Sequence, residues 1–140
     1  MKISNKLFLN KFLLIFSVSG LISFTSATAQ SKAWIAPAAA QALKNPTPTL
    51  TGGNVIYTSY CTPCHGATGK GNGPAASALA TKPADHTSTA LKNESDGSLY
   101  WKISEGRLPM PQYKLAFTPA QRWQLVNYIR SLSVKGAKKS

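Results

Sequence analysis

Cys61-Thr62-Pro63-Cys64-His65 is the stretch that decides how this chain is read. C-x-x-C-H is the attachment pattern of a c-type haem. The chemistry needs this spacing, because two thiols three positions apart can each add across one vinyl group of the same porphyrin. The next residue, His65, is then carried under the ring, where an imidazole nitrogen can bind the iron as proximal ligand. These are the only two cysteines in 140 residues, so one prosthetic group, a single covalent haem c, accounts for both.

Three other uses of the pair fit less well. A thioredoxin-like redox pair sits near a βαβ pattern, and no strand-rich unit surrounds residues 50–90. Tetrahedral zinc needs two further ligands, and His86 is the one remaining histidine. A short disulfide would leave His65 and the glycines behind it without a purpose.

The N-terminus reads as an export signal, residues 1–29. Lys2, Lys6 and Lys11 form a positive start without an acid. A mostly apolar run from Phe12 to Phe24 follows and ends in Ala27-Thr28-Ala29, an A-x-A cleavage pattern. The run is shorter than the ~20 apolar residues of a membrane span. Cleavage near Ala29/Gln30 leaves 111 residues, enough for one domain with a modest core. Haem would supply much of that interior, so the apo-protein is expected to fold poorly.

Three lysines leave with the signal, so 13 of the 16 Lys/Arg remain against 4 acids, a net charge of +9. Such a field steers acidic partners. The basic residues are scattered, apart from Lys135, Lys138 and Lys139 in a basic tail, residues 135–140. No nucleic-acid motif or basic run with interleaved aromatics is present.

Residues 30–51 read as a Pro/Ala-rich arm. Ala38–Lys44 suits a short helical turn, stopped by Asn45-Pro46-Thr47-Pro48. The arm either wraps the domain, with Trp34 and Ile35 as anchor, or is a loose spacer. The domain proper is placed at residues 52–134. A helix is expected over Asn54–Tyr60, then a loop punctuated by Gly66, Gly69, Gly71 and Gly73, which suits a backbone passing close to a flat ligand. A short helix is expected over Pro74–Leu79 and a surface loop over residues 84–95. A second clear helix begins at Ser95 or Asp96 and stops at Gly106. The last starts at Thr118-Pro119-Ala120-Gln121, a capping box with proline at the first helical position, and runs to Ser133. No strand is expected, so the fold is all-α.

The iron needs a sixth ligand or an open site. Met110 is the one methionine outside the signal, and Pro109 and Pro111 stiffen the loop that would hold its thioether. His86, in Asp85-His86-Thr87, is the rival. A loop histidine among polar neighbours is expected to be solvated.

These stretches together resemble a single-haem class I cytochrome c of the small bacterial type. The matching residues are Gly53, Tyr57, Cys61, Cys64-His65-Gly66, Gly69-x-Gly71-x-Gly73-Pro74, Asp96-Gly97-x-x-Tyr100-x-x-Ile103-x-x-Gly106, Met110-Pro111 and Trp123-x-Leu125-Val126-x-Tyr128-Ile129. The resemblance implies the cytochrome c fold, three main helices and short turns around one haem. It makes Cys61 and Cys64 the thioether attachment points and His65 and Met110 the axial ligands. Pro74 would offer its carbonyl to the proximal histidine ring N–H. Gly53 and Tyr57 would lie where the first helix crosses the last, meeting Leu125 and Tyr128. Trp101, Tyr100 and Arg107 are candidates for the haem edge or propionates.

With both axial positions filled and no acid, base or nucleophile set in view, the expected function is electron carriage in the periplasm and not catalysis. An electron-entry subunit of an oxidoreductase or respiratory complex is the alternative. A small haem peroxidase, with an open sixth site, is a third reading. Covalent haem is fitted outside the cytoplasmic membrane in bacteria, as the resemblance implies, which agrees with the signal. Partners are expected to be redox proteins with acidic docking surfaces, met by a monomer without a transmembrane segment. Lys70, Lys102 and Lys114 are expected to flank the haem.

Overall fold

The computed structural model describes residues 33–48 and 52–137, with side chains to residue 133. The export signal, residues 49–51 and the last three residues of the basic tail lie outside the described residues. The elements are α1 (Ala38–Gln41), α2 (Gly53–Tyr60), α3 (Thr62–His65), a 3-10 turn (Ala76–Ala78), α4 (Thr89–Lys92), α5 (Asp96–Glu105) and α6 (Pro119–Ala137). Among the described residues there is no strand, only an isolated bridge between Arg107 and Met110. The all-α expectation holds. No described helix is long and apolar enough to cross a membrane.

The caps follow the sequence signals closely. Thr118 and Gln121 form the reciprocal box: the Thr118 N–H donates to Gln121 Oε1 (2.8 Å) and the Gln121 N–H to Thr118 Oγ1 (3.3 Å). At α5 the cap is Ser95, whose hydroxyl accepts from the Ser98 N–H at 3.1 Å. α6 runs past the expected Ser133 to Ala137. The expected helix over 74–79 shortens to the 3-10 turn.

Helix α2 crosses α6, and Gly53 makes the approach possible. A Cβ there would fall on the Gln124 carbonyl oxygen and lie 3.1 Å from Tyr128 Cβ. One turn on, Tyr57 is fully buried, its ring 5.0 Å from that of Tyr128. Leu99 and Ile103 of α5 and Trp123, Leu125, Val126, Ile129 and Leu132 of α6 complete the core. This apolar face is what holds α6 in place, since isolated helical propensity contributes little.

The surface loop expected over 84–95 is instead partly interior. Residues 89–92 form α4, capped by Ser88, and both His86 and Leu91 are buried. Arg130 of α6 holds this segment in place. Its Nε donates to Asp96 Oδ1 (2.8 Å), one terminal nitrogen to the Leu91 carbonyl (2.9 Å) and the other to the Glu94 carbonyl. A single guanidinium therefore satisfies carbonyls at the end of α4 and joins it to α5 and α6.

The arm is docked. Ala36 and Ala40 are buried, and the Ala40 carbonyl lies against Gly97 of α5. Asn45 Nδ2 donates to Asn127 Oδ1, and Asn127 Nδ2 to the Thr47 carbonyl, both at 2.6 Å. Ile35, expected as an anchor, is 72% exposed, because the buried side of the arm carries the alanines and Trp34.

Gly53→Ala tests the crossing. Ala normally stabilises a helix relative to Gly, but here the methyl group must displace a backbone carbonyl. The expected outcome is a loss of about 1–3 kcal/mol, read as a lower midpoint in thermal or urea unfolding of the holoprotein.

Candidate haem site

The Cys61–His65 turn is built from the end of α2. The Cys61 N–H donates to the Tyr57 carbonyl (2.9 Å), and the His65 N–H to the Cys61 carbonyl (2.8 Å), winding the motif into α3. A four-residue helix leaves its last carbonyls without intrahelical partners. The glycine loop supplies them: the N–H groups of Ala75, Gly73 and Gly71 donate to the carbonyls of Pro63, Cys64 and His65 at 2.9, 3.0 and 2.8 Å. The loop thus braces the back of the motif. None of its four glycines lines the cleft, so the expectation of a glycine haem wall is corrected.

Cys61, Cys64, His65 and Met110 open onto one apolar cleft. An adjoining cavity is walled by Leu99, Ile103, Leu125 and Ile129 and shares Trp34, Cys61, His65 and Met110 with the first. Neither thiol is in a disulfide. Burial pushes the Cys61 thiol up to about 12, with Cys64 adding to the effect, so it sits neutral in an apolar wall.

His65 Nδ1 lies 3.0 Å from the Ala84 carbonyl oxygen. A carbonyl can only accept, so Nδ1 carries the proton and Nε2 keeps the lone pair that a metal needs. The partner expected from the resemblance was the Pro74 carbonyl. Pro74 is exposed and lies in the loop behind α3, so the orienting acceptor is Ala84, ten residues further along. Burial holds the His65 imidazole below its ordinary value, against the opposing bond to Ala84.

Met110 is fixed by its backbone. The Arg107 N–H donates to the Met110 carbonyl (3.0 Å) and the Met110 N–H to the Arg107 carbonyl (2.9 Å). The following residues tie the loop to the end of α5, through Tyr113 N–H to Ile103 O (3.1 Å) and Lys114 N–H to Ser104 O (3.2 Å). The thioether therefore belongs to a loop pinned on both sides.

His86 is not solvated as expected; it is 6% exposed. Its ring stacks on His65, with centroids 4.2 Å apart and planes 19° from parallel. Two axial imidazoles on one iron would point their nitrogens at each other from opposite faces of the porphyrin. Face-to-face stacking does not suit that role, and His86 instead backs the His65 imidazole. Tyr57 Oη lies 3.1 Å from His86 Nδ1 and 3.2 Å from the Gly66 carbonyl. Both contacts are satisfied when the phenol donates to Gly66 and accepts from an Nδ1–H. The His86 N–H donates to Gly69 O (2.6 Å), and Ser133 Oγ donates to His86 O (2.7 Å).

Of the remaining candidates, Arg107 lines the cleft. Trp101 meets it indirectly, through Trp34 at 6.2 Å. Tyr100 turns away, stacked 4.2 Å from Trp123 and covered by Arg122. Sequence reasoning missed Ala84, whose backbone role leaves no residue-type signal, and Tyr113, which lines both cavities. Of the expected docking lysines, Lys102 is paired with Glu94 (2.5 Å) and Lys114 with Glu105 (2.7 Å), while Lys70 is exposed.

Two thiols, an oriented imidazole and a thioether on one apolar cleft define a small helical haem-binding domain. The family model for cytochrome c matches residues 50–133, and the chain belongs to that family. Its members bind haem c and transfer electrons, and Cys61 and Cys64 stand in the attachment motif. No match was found among curated proteins. Among solved structures, the chain is similar to one from the reducing HAO-like protein complex Kustc0457/Kustc0458 of Kuenenia stuttgartiensis. Identity is 29% and the TM-score 0.54, covering 64% of this chain and 49% of that one. The chain thus spans about half the length of that relative. It is also similar to the KustC0563 c-type cytochrome, at 24% identity and TM-score 0.50, covering 57% of this chain and 95% of the other.

Burial, with His65 adding and Asp85 opposing, pushes His86 down to about 3. Between pH 6.5 and about 3 the unfolded chain binds a proton at this residue that the folded chain refuses. Stability contributed by neutral His86 is complete above pH 6.5 and is lost as pH falls through that window. His86→Phe keeps the stack and removes the titration, so unfolding of the holoprotein across this range should become less acid-sensitive than wild type.

Proposed function

We propose that this chain is a periplasmic electron carrier with one haem, attached through Cys61 and Cys64 and held axially by His65 and Met110. The observation that carries the reading is the convergence of His65 and the pinned Met110 on one cleft, with His86 engaged behind the proximal ring. When bound, haem supplies a one-electron ferric/ferrous couple, and a thioether ligand raises its potential. Ala84 orients the proximal imidazole, the Arg107–Met110 pair holds the distal loop, and Leu99, Ile103, Leu125 and Ile129 keep water from the interior face. In this reading residues 1–29 are the export signal and 52–134 the haem domain.

The reading of a fixed subunit is favoured by one observation, the likeness to a chain from a redox complex. The charge pattern favours the free carrier. Glu94, Glu105 and Asp96 are each ion-paired within the chain, and Asp85 accepts from Thr87. The remaining lysines and arginines give a surface of nearly one sign, which speeds encounter with acidic partners.

Purified protein should carry one haem that acid–acetone cannot extract, with the near-infrared-edge band of methionine-ligated ferric haem. Met110→Ala should abolish that band and open the iron to carbon monoxide. If His86→Ala removes six-coordination and Met110→Ala does not, the ligand assignment is wrong.

Stopped-flow electron transfer to an acidic redox partner should slow as salt screens the field, over a Debye length of ~8 Å at physiological ionic strength. Reversal at exposed Lys70 should slow it more than reversal at Lys114, whose charge Glu105 already offsets. A salt-independent rate, with co-purification at fixed stoichiometry, would instead identify a subunit.

A further inference from the structure

Residues 33–48 precede the stretch that the cytochrome c family model covers, yet they reach its centre. Trp34 lines both cavities beside Cys61, His65 and Met110. Its indole is held from several sides: the Trp101 ring at 6.2 Å and 57°, Lys102 Nζ at 5.5 Å and Arg107 Cζ at 5.1 Å from the ring centre. We propose that this arm is a built-in cover of the haem crevice and that Trp34 is its shielding residue, excluding water from the haem and so raising its reduction potential. The proposal rests on the haem reading above.

The geometry gives Trp34 no liganding role, since an indole offers only an N–H donor. What it offers is a large apolar plate, and two cations over its face hold that plate by cation–π attraction. Ferric haem carries one more positive charge than ferrous haem. Water stabilises the more highly charged form, so a dry crevice favours the ferrous state, and burial is a recognised lever on haem potential. Arg107 at the same wall adds a positive field of the same sign of effect.

The cover is fastened away from the cleft. Ala40 packs its carbonyl on Gly97, the Leu43 carbonyl lies 2.9 Å from where a Gly97 Cβ would stand, and Asn45 and Thr47 bond Asn127. Gly97 is the second residue of α5, where Ala is the better helix former. Gly97→Ala therefore lifts the arm without entering the cleft.

The test compares wild-type, Trp34→Ala, Trp34→Phe and Gly97→Ala holoproteins by redox titration and by the rate at which cyanide captures ferric haem. Trp34→Ala should lower the reduced-to-oxidised ratio at a fixed applied potential by about tenfold, which is 59 mV for a one-electron couple. Cyanide capture should be several-fold faster. Trp34→Phe should recover most of both, and Gly97→Ala should move both in the direction of Trp34→Ala. Leu132→Ala, which loosens the core without lining either cavity, should leave the potential in place. Unchanged potential and cyanide rate in Trp34→Ala, or equal changes in Leu132→Ala, would overturn the cover. Absence of covalent haem from wild type would instead overturn the haem reading beneath it.

Discussion

The crossing of α2 over α6 is the constraint on which the site depends. Gly53 lets the α2 backbone rest on the Gln124 carbonyl, and this depth carries Tyr57 into the core. From there the Tyr57 carbonyl receives the Cys61 N–H and its phenol reaches Gly66 and His86. One residue, through its backbone and its phenol, thus holds the start of the motif, the residue after it and the ring that backs His65. A shift of α2 by even a fraction of a turn would move both thiols, because the motif continues directly from that helix. The last helix is in this sense as much a part of the site as the cysteines, although it contributes no ligand.

The interior polar groups divide the work of holding the site's surroundings. Arg130 joins α4, α5 and α6 through the Leu91 and Glu94 carbonyls and the Asp96 carboxylate. Ser133 and Gly69 hold the backbone of His86. Arg122 covers Tyr100 at 4.7 Å and donates to Ser104 Oγ, joining α6 to α5. Every hydrogen bond in this set ends on backbone or on a short side chain. Such partners lose little rotamer freedom on folding, so the net gain exceeds that of a surface ion pair between long side chains.

Much of this was legible in the sequence. Caps, proline positions and apolar spacing located α2, α5 and α6, because those signals act locally and each bears on its own helix. Cys61, Cys64, His65 and Met110 stood out because their chemistry is carried by residue type and count, and the fold brings them to one cleft. The misses share a cause. Ala84 acts through a backbone carbonyl, which every residue possesses. His86 is polar and has polar neighbours, yet Tyr57, Gly69 and Ser133 satisfy it from elsewhere in the chain. The arm was ambiguous because alanines bury well only where a partner gives way, and Gly97 lies more than fifty residues along. The glycine loop was located correctly but given the wrong face, since hydrogen bonding to α3 and approach to a flat ligand both call for glycine.

In the proposed reading Trp34 and the arm cover the cleft, while Leu108, 89% exposed, lines it with Met110, and Leu115, nearby in sequence, is 84% exposed. Exposed apolar side chains can be dehydrated briefly by a partner, and a few such contacts give a small interface that releases quickly. Lys82, which also lines the cleft, adds charge of the sign that steers an acidic partner. A carrier needs a haem that is dry at its core and reachable at one edge. In the proposed reading the arm serves the first requirement and the Leu108 side of the cleft the second.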